Sequence, residues 1–195
     1  MWYFSEEEKA LQELCRDFAY NELAPKAEQH DTNETFNIEA FKKMGQIGLL
    51  GITADPKYGG SGLGATAATI VMEELGKACP ASTLSYLAHS ILCVNNIQNN
   101  ASDEHKEKYL PKLISGEWIG CMGMSEADYG SDAVGIQTRA KKQNDENYII
   151  NGSKMWITNA QYSDIAYVYV RTGDDKKNLS TFILEKKQDH FQVGK

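Results

Sequence analysis

The sequence predicts an α+β fold with segregated parts. An all-α N-terminal helical domain occupies residues 1–116, and an incomplete antiparallel β-sandwich or barrel domain occupies 117–195. Three observations carry this reading. Apolar residues recur at helical spacing behind capping residues up to about Ile114. From Glu117 the pattern switches to short β-branched and aromatic runs separated by turns. Those runs number about five, fewer than a closed sandwich or barrel usually needs, so open edges are expected and the chain reads as truncated.

The first helix starts in "FSEEEKALQELCRDFAYNEL", where Ser5 is the cap and Glu8, three residues on, completes a capping-box pattern. Leu11, Leu14, Cys15 and Phe18 follow at helical spacing, and Pro25 comes soon after the expected end. A second helix fits about 37–48, capped by Asn37, with Ile38, Phe41 and Met44 on one face. "YGGSGLG" (58–64) is a loop, since four glycines in seven residues do not make a helix. It lacks the lysine of a phosphate-binding P-loop and follows no strand. A third helix fits 65–78, before Pro80. A fourth, about 83–98, is apolar nearly all round and is expected to be central and buried. A fifth starts at the cap Ser102, and Pro111 is read as restarting its last turn. The β-runs are "EWIGCMGMSE", "GIQTRAKKQ", "YIING", "DIAYVYVRT" and "STFILEK".

Composition excludes several classes. At 42% hydrophobic and 10% aromatic, the 195 residues can bury a core. No apolar run approaches the ~20 residues of a bilayer span. The acidic start "MWYFSEEEKA" has neither the basic region of a signal peptide nor the arginines of a transit peptide. A net charge of −7 and a pI of about 5.1 argue against a nucleic-acid partner. Cys15, Cys79, Cys93 and Cys121 form no CxxC pair and no metal-ligand spacing, so all four are expected as buried reduced thiols in a reducing compartment. His89 lies on the apolar helix and is expected as a satisfied core residue.

Two stretches offer chemistry. In "MWITN" (155–159), an extended backbone puts Trp156 and Thr158 on one face and Met155 and Ile157 on the other. A flat π-surface beside a hydroxyl suits a flat, heteroatom-rich ligand, although a strand Trp more often plugs a core. In "CMGMSEADYGSD" (121–132), a strand runs out through Met124 into Ser125, an acid, and a turn with Gly130, Ser131 and Asp132. Hydroxyls at a strand end suit an amide- or carbonyl-rich ligand. Spacing alone favours a plain hairpin loop with local Ser and Asp bonds.

"MSEADYGSD", then "NGSKMWITNA", a strand and "TFILEK" together resemble the middle β-domain of the acyl-CoA dehydrogenase family. In the helical part, "GLLGITADPKYGGSGLG", "VMEELGKAC", "LSYLAHSILCVNNI" and "HKEKYLPKLISGEWIG" resemble, in order, segments of its isovaleryl-CoA dehydrogenase branch. The resemblance covers essentially the whole chain, and the two β-domain motifs at this spacing are specific. It implies FAD as cofactor. Trp156 is expected to stack near the isoalloxazine ring and Thr158 to hydrogen-bond at its N5 edge. Ser125 and the backbone groups of Met122 and Met124 are expected at the pyrimidine edge. Ser131 is expected between cofactor and the pantetheine arm of an acyl-CoA substrate, and the acyl tail is expected along the fourth helix near Tyr86, Ser90 and Cys93.

Where family members have Pro after the glutamate, Ala127 stands after Glu126, and Asp128-Tyr129 replaces the usual small residues before Gly130. That Tyr would narrow the CoA entrance or alter loop rigidity. Family members also continue for about as long again, with a C-terminal helical bundle that carries the catalytic glutamate. No residue of 1–195 is expected to act as that base. The resemblance implies α,β-desaturation of a short or branched acyl-CoA, electron transfer to an electron-transfer flavoprotein, and a homotetrameric parent. It places the parent in a bacterial cytoplasm or the mitochondrial matrix. The alternatives are a non-catalytic truncated binding module and a flavin monooxygenase-type relative on the same fold.

Overall fold

The computed structural model describes residues 4–145, 147–175, 178–189 and 191–194. The chain forms two compact units, Met1–Trp118 and Ile119–Lys195.

In the helical unit, α1 (Glu6–Phe18) opens with the capping box: the Ser5 hydroxyl accepts from Glu8 N–H, and the Glu8 carboxylate accepts from Ser5 N–H. The helix does not stop before Pro25. It widens into a π-helical turn (Ala19–Leu23), where Ala24 N–H reaches back five residues to Ala19 O, and continues as α2 (Ala24–Thr32). The wider turn takes in the proline, whose ring would clash inside regular α-helix. α3 (Ile38–Gln46) is capped by Asn37 and buries Ala40, Phe41 and Met44. α4 (Ala65–Ala78) covers the span read from sequence.

The fourth helix is longer than read. α5 (Pro80–Tyr86), a π-helical stretch (Leu87–Val94) and α6 (Asn95–Asn100) follow one another without leaving helical backbone. α7 (Asp103–Ile114) contains Pro111 within it rather than restarting there. The Gly-rich stretch is a loop, and a Cβ on Gly60 would stand 2.1 Å from the Ala54 carbonyl oxygen. Among the described residues, no helix is long and apolar enough to cross a membrane.

α1 and α4 are tied by Glu74, whose buried carboxylate accepts two bonds from Arg16 (3.2 Å each) and one from Lys77 (2.9 Å). Burial would raise the pKa of this carboxylate, but the two cations outweigh it and hold the acid below its ordinary range. His89 is fully buried, with Nε2 3.0 Å from Leu113 O and its ring edge-on to Phe41, as expected of a core histidine. Cys15, Cys93 and Cys121 are buried; Cys79 is only half-buried, which corrects the expectation for that residue.

The β-unit holds β1 (Gly120–Gly123), β2 (Arg139–Lys142), β3 (Tyr148–Asn151), β4 (Ile165–Arg171), β5 (Leu179–Glu185) and a short α8 (Lys186–Asp189). β2–β3 and β4–β5 are antiparallel pairs. β1 lies parallel to β4, and β2 meets β4 in parallel at Arg139 and Arg171. The segregated α+β class holds, but the partial sheet is mixed rather than antiparallel throughout. The long connection from Gly123 to Ile165, with the β2–β3 hairpin inside it, brings β4 back alongside β1 in the same direction. The core of this unit is Cys121, Ala140, Ala166, Val168 and Val170, with Ile150, Ile157, Phe182 and Leu184 packed on it.

Candidate functional site

The two motif stretches meet in the β-unit. β1 ends at Gly123 and delivers Met124, Ser125 and Glu126 to a loop. The 152–163 segment after β3 returns beside it: Met155 N–H donates to Ser125 O at 2.9 Å, and Lys154 Nζ donates to Met124 O at 3.1 Å. Gly152, which opens the segment, lies close against the residue before β2. Its φ is 149°, and a Cβ there would lie 2.6 Å from Thr138 Cα.

The 152–163 segment is not a strand, so the alternation expected of "MWITN" does not hold. Trp156 has a left-handed φ of 60° and Asn159 a φ of 70°. Between them, Ile157 packs on the core. The backbone bonds of Met155 and the turn after Thr158 hold this irregular path, which throws the Trp156 ring outward. The indole is 88% exposed, the most exposed of the large apolar side chains among the described residues. A bulky residue in the left-handed region is an outlier that tends to mark a functional site.

Met122, Met124, Ser125 and Thr158 are half-buried, and Ser131 is exposed on the loop. That loop is closed on itself by paired backbone bonds between Glu126 and Tyr129. The Tyr129 ring lies over Gly135, where a Cβ would stand 2.5 Å from it. Arg171 pins the far end of the loop, donating from its guanidinium to Val134 O (2.8 Å) and Ile136 O (3.1 Å).

Tyr86, Ser90 and Cys93 belong to the helical unit. They are 0%, 1% and 0% exposed there. On the same helix Leu84 is exposed, and Leu87, Ile91 and Leu92 are half-buried.

The sequence reading also missed an ion pair at the centre of the site. Glu126 and Lys154 lie 2.8 Å apart, with side chains only 8% and 10% exposed. Glu126 also accepts from Gln137 N–H (2.6 Å) and Thr138 N–H (2.9 Å). Burial alone would raise its pKa, but these donors and Lys154 overcome it and hold the carboxyl at about 2. Burial pulls Lys154 down against the attraction of Glu126. The available signal was one acid and one lysine, each in the middle of a motif. Nothing local in the sequence says that they pair.

The donor set fits a flavin. An exposed indole face, two hydroxyls and strand-end backbone groups are what a flat ring with amide-like edges requires. Among the described residues no group of His, Cys, Asp and Glu side chains is arranged to hold a metal ion.

Comparison with known proteins agrees. Residues 5–117 match the model "Acyl-CoA dehydrogenase, N-terminal domain", and residues 121–195 match "Acyl-CoA dehydrogenase, middle domain". The chain belongs to the acyl-CoA dehydrogenase family, whose cofactor is FAD. It is 45% identical over 98% of its length to mitochondrial isovaleryl-CoA dehydrogenase of Pongo abelii, covering 46% of that protein. Butyryl-CoA dehydrogenase from Megasphaera elsdenii superposes with a TM-score of 0.87 at 32% identity, over 95% of this chain and 50% of that one. An acyl-CoA dehydrogenase from Bacillus anthracis complexed with FAD gives a TM-score of 0.83 at 34% identity, over 94% of this chain and 31% of that one. The chain thus spans about half the length of the curated relatives it matches.

Proposed function

We propose that this chain supplies the flavin seat and part of the acyl-CoA site of a dehydrogenase that introduces an α,β double bond into a short or branched acyl-CoA. The observation that carries the reading is the outward-held Trp156 indole, fixed in a left-handed backbone beside Thr158 and bonded through Met155 to the Ser125 loop. FAD, when bound, supplies the acceptor for the hydride that leaves the β-carbon.

The residues have separate tasks. Trp156 offers the stacking plane and Thr158 a hydroxyl for the reacting edge of the ring. Ser125 and the backbone of Met122 and Met124 face the pyrimidine edge, and Ser131 contacts the pantetheine arm. The acyl tail lies along the fourth helix. Its contacts there are Tyr86, Ser90 and Cys93, of which Tyr86 Oη and Ser90 Oγ are buried and make no hydrogen bond among the described residues. Glu126 is not the base that removes the α-proton: three donors already engage it, and it is held ionised too far down for that task. The base comes from outside residues 1–195, as does much of the interface of a homotetramer. Electrons pass on to an electron-transfer flavoprotein.

FAD titration of the purified chain, followed by flavin fluorescence, tests the reading. Saturable binding that Trp156→Ala weakens about tenfold, by the loss of stacking and buried area, is expected. Unchanged affinity in Trp156→Ala would overturn the stacking role.

A further inference from the structure

Ser125 and Trp156 sit on two loops, and one ion pair joins those loops from behind. Ser125 lies between Met124, whose carbonyl accepts from Lys154, and Glu126, whose carboxylate accepts from the same ammonium. Trp156 lies two residues beyond Lys154. The lysine stem runs over the end of β1, where a Cβ on Gly123 would stand 3.3 Å from Lys154 Cγ. The carboxylate extends the link to the start of β2 through the N–H groups of Gln137 and Thr138. Three stretches of chain therefore converge on two charged side chains that are nearly out of water.

Burying an ion pair is a costly way to join loops, and apolar residues of the same size often do as well or better for stability. What the pair adds is directionality. Each bond fixes an angle as well as a distance, and it acts where a bulky residue is held in an unfavourable backbone conformation. We infer that Glu126 and Lys154 are a positioning pair: they fix the Ser125 loop relative to the Trp156 ring, and so set how well the seat fits its ring ligand. This rests on the reading of that seat as a flavin site. Neither residue is assigned a contact with the ligand.

The test uses the full chain with Trp2→Phe and Trp118→Phe, so that Trp156 is the single indole. Lys154→Met removes the link but leaves Glu126 with its two backbone donors. Lys154→Arg keeps a cation in place. Each is examined well below its melting transition for FAD affinity and, without FAD, for the fluorescence anisotropy of Trp156. The expected result is about tenfold weaker FAD binding and lower anisotropy in Lys154→Met, with most of both recovered in Lys154→Arg. If Lys154→Met does not fold, Lys154→Gln takes its place. Parent-like anisotropy and affinity in a variant that is merely less stable would overturn the inference, leaving the pair purely structural. If the parent binds no FAD, the flavin reading fails, and the anisotropy comparison alone still decides whether the pair positions Trp156.

Discussion

The helical rod of residues 80–100 hides polar groups, whereas the segment 152–163 displays an apolar ring. In the rod, Tyr86 Oη and Ser90 Oγ are buried and make no hydrogen bond among the described residues. In the segment, Trp156 stands in solvent on a backbone that disfavours it. The two anomalies have different weights. A buried hydroxyl without a partner lowers stability but leaves the packing intact. An exposed indole on a strained backbone is retained only if the surrounding structure holds it there, and the Met155, Glu126 and Lys154 bonds do so. The same contrast holds for the two buried carboxylates. Glu74 is served by Arg16 and Lys77, whose side chains are about half exposed, whereas Glu126 is served by a lysine buried with it.

The carboxylates give the largest expected difference. Glu126→Gln leaves the Lys154 ammonium buried without a counter-charge and should cost about 3–5 kcal/mol. Glu74→Gln leaves two cations that can turn to water and should cost closer to 1–2 kcal/mol. Urea denaturation monitored in each unit separately checks this. Equal losses would erase the distinction.

Much of the helical unit was legible in the sequence because its signals are local. Ser5, Asn37 and Ser102 each cap within three residues, and Phe41 and Met44 mark the buried face of α3 within one turn. The π-helical turn before Pro25 was not legible, since it changes the hydrogen-bond step without changing the apolar spacing. In the β-unit the strands were readable but their partners were not. Whether β1 runs with or against β4 depends on a long connection that no short pattern encodes. At the site, the sequence reading put Trp156 and Thr158 on one face of an extended strand, whereas the segment bends at Trp156 and Asn159. The Glu126–Lys154 contact spans 28 residues and has no local signature.

Acid should separate the units next. His89 is buried and neutral, and burial pulls its pKa down to about 4 from an ordinary 6.5, against the pull of its bond to Leu113. As pH falls, the unfolded chain takes up this proton first. The helical unit is therefore fully stable with respect to His89 above about 6.5 and loses about 3 kcal/mol by about 4. Glu126 works lower on the scale. Its stabilisation is present above the ordinary carboxylate value of 4.5 and is lost as pH falls towards 2. Hydrogen exchange at pH 7, 5.5 and 4.5 should show helical amides losing protection first, and His89→Leu should flatten that loss. Parallel loss in both units would contradict it.

The unpartnered hydroxyls predict a gain. Tyr86→Phe removes a polar atom that has no partner and keeps the ring in place, so stability should rise by about 1–2 kcal/mol. Ser90→Ala should act in the same direction. Thermal unfolding of both variants decides, and a fall in either would mean that an internal water or another group bonds the hydroxyl.

The smallest effect concerns the backbone of Trp156. Holding an L-residue in the left-handed region costs about 1–2 kcal/mol, and glycine avoids that cost. Glycine also gives the unfolded chain more freedom, which takes back about 0.5–1 kcal/mol. Trp156→Gly should therefore be more stable than Trp156→Ala by about 0.5–1 kcal/mol, although both lose the same indole. Because the ring is exposed in the free chain, its removal costs little packing, and the pair isolates the strain. The two variants should weaken FAD binding alike, since neither offers a stacking plane. Denaturation midpoints and FAD titrations on both check the two halves of the statement. Equal stability would mean that the segment relaxes out of the left-handed conformation once the ring is gone. In that case the bonds of Met155 and Lys154 would not be what holds the backbone of Trp156 in its place.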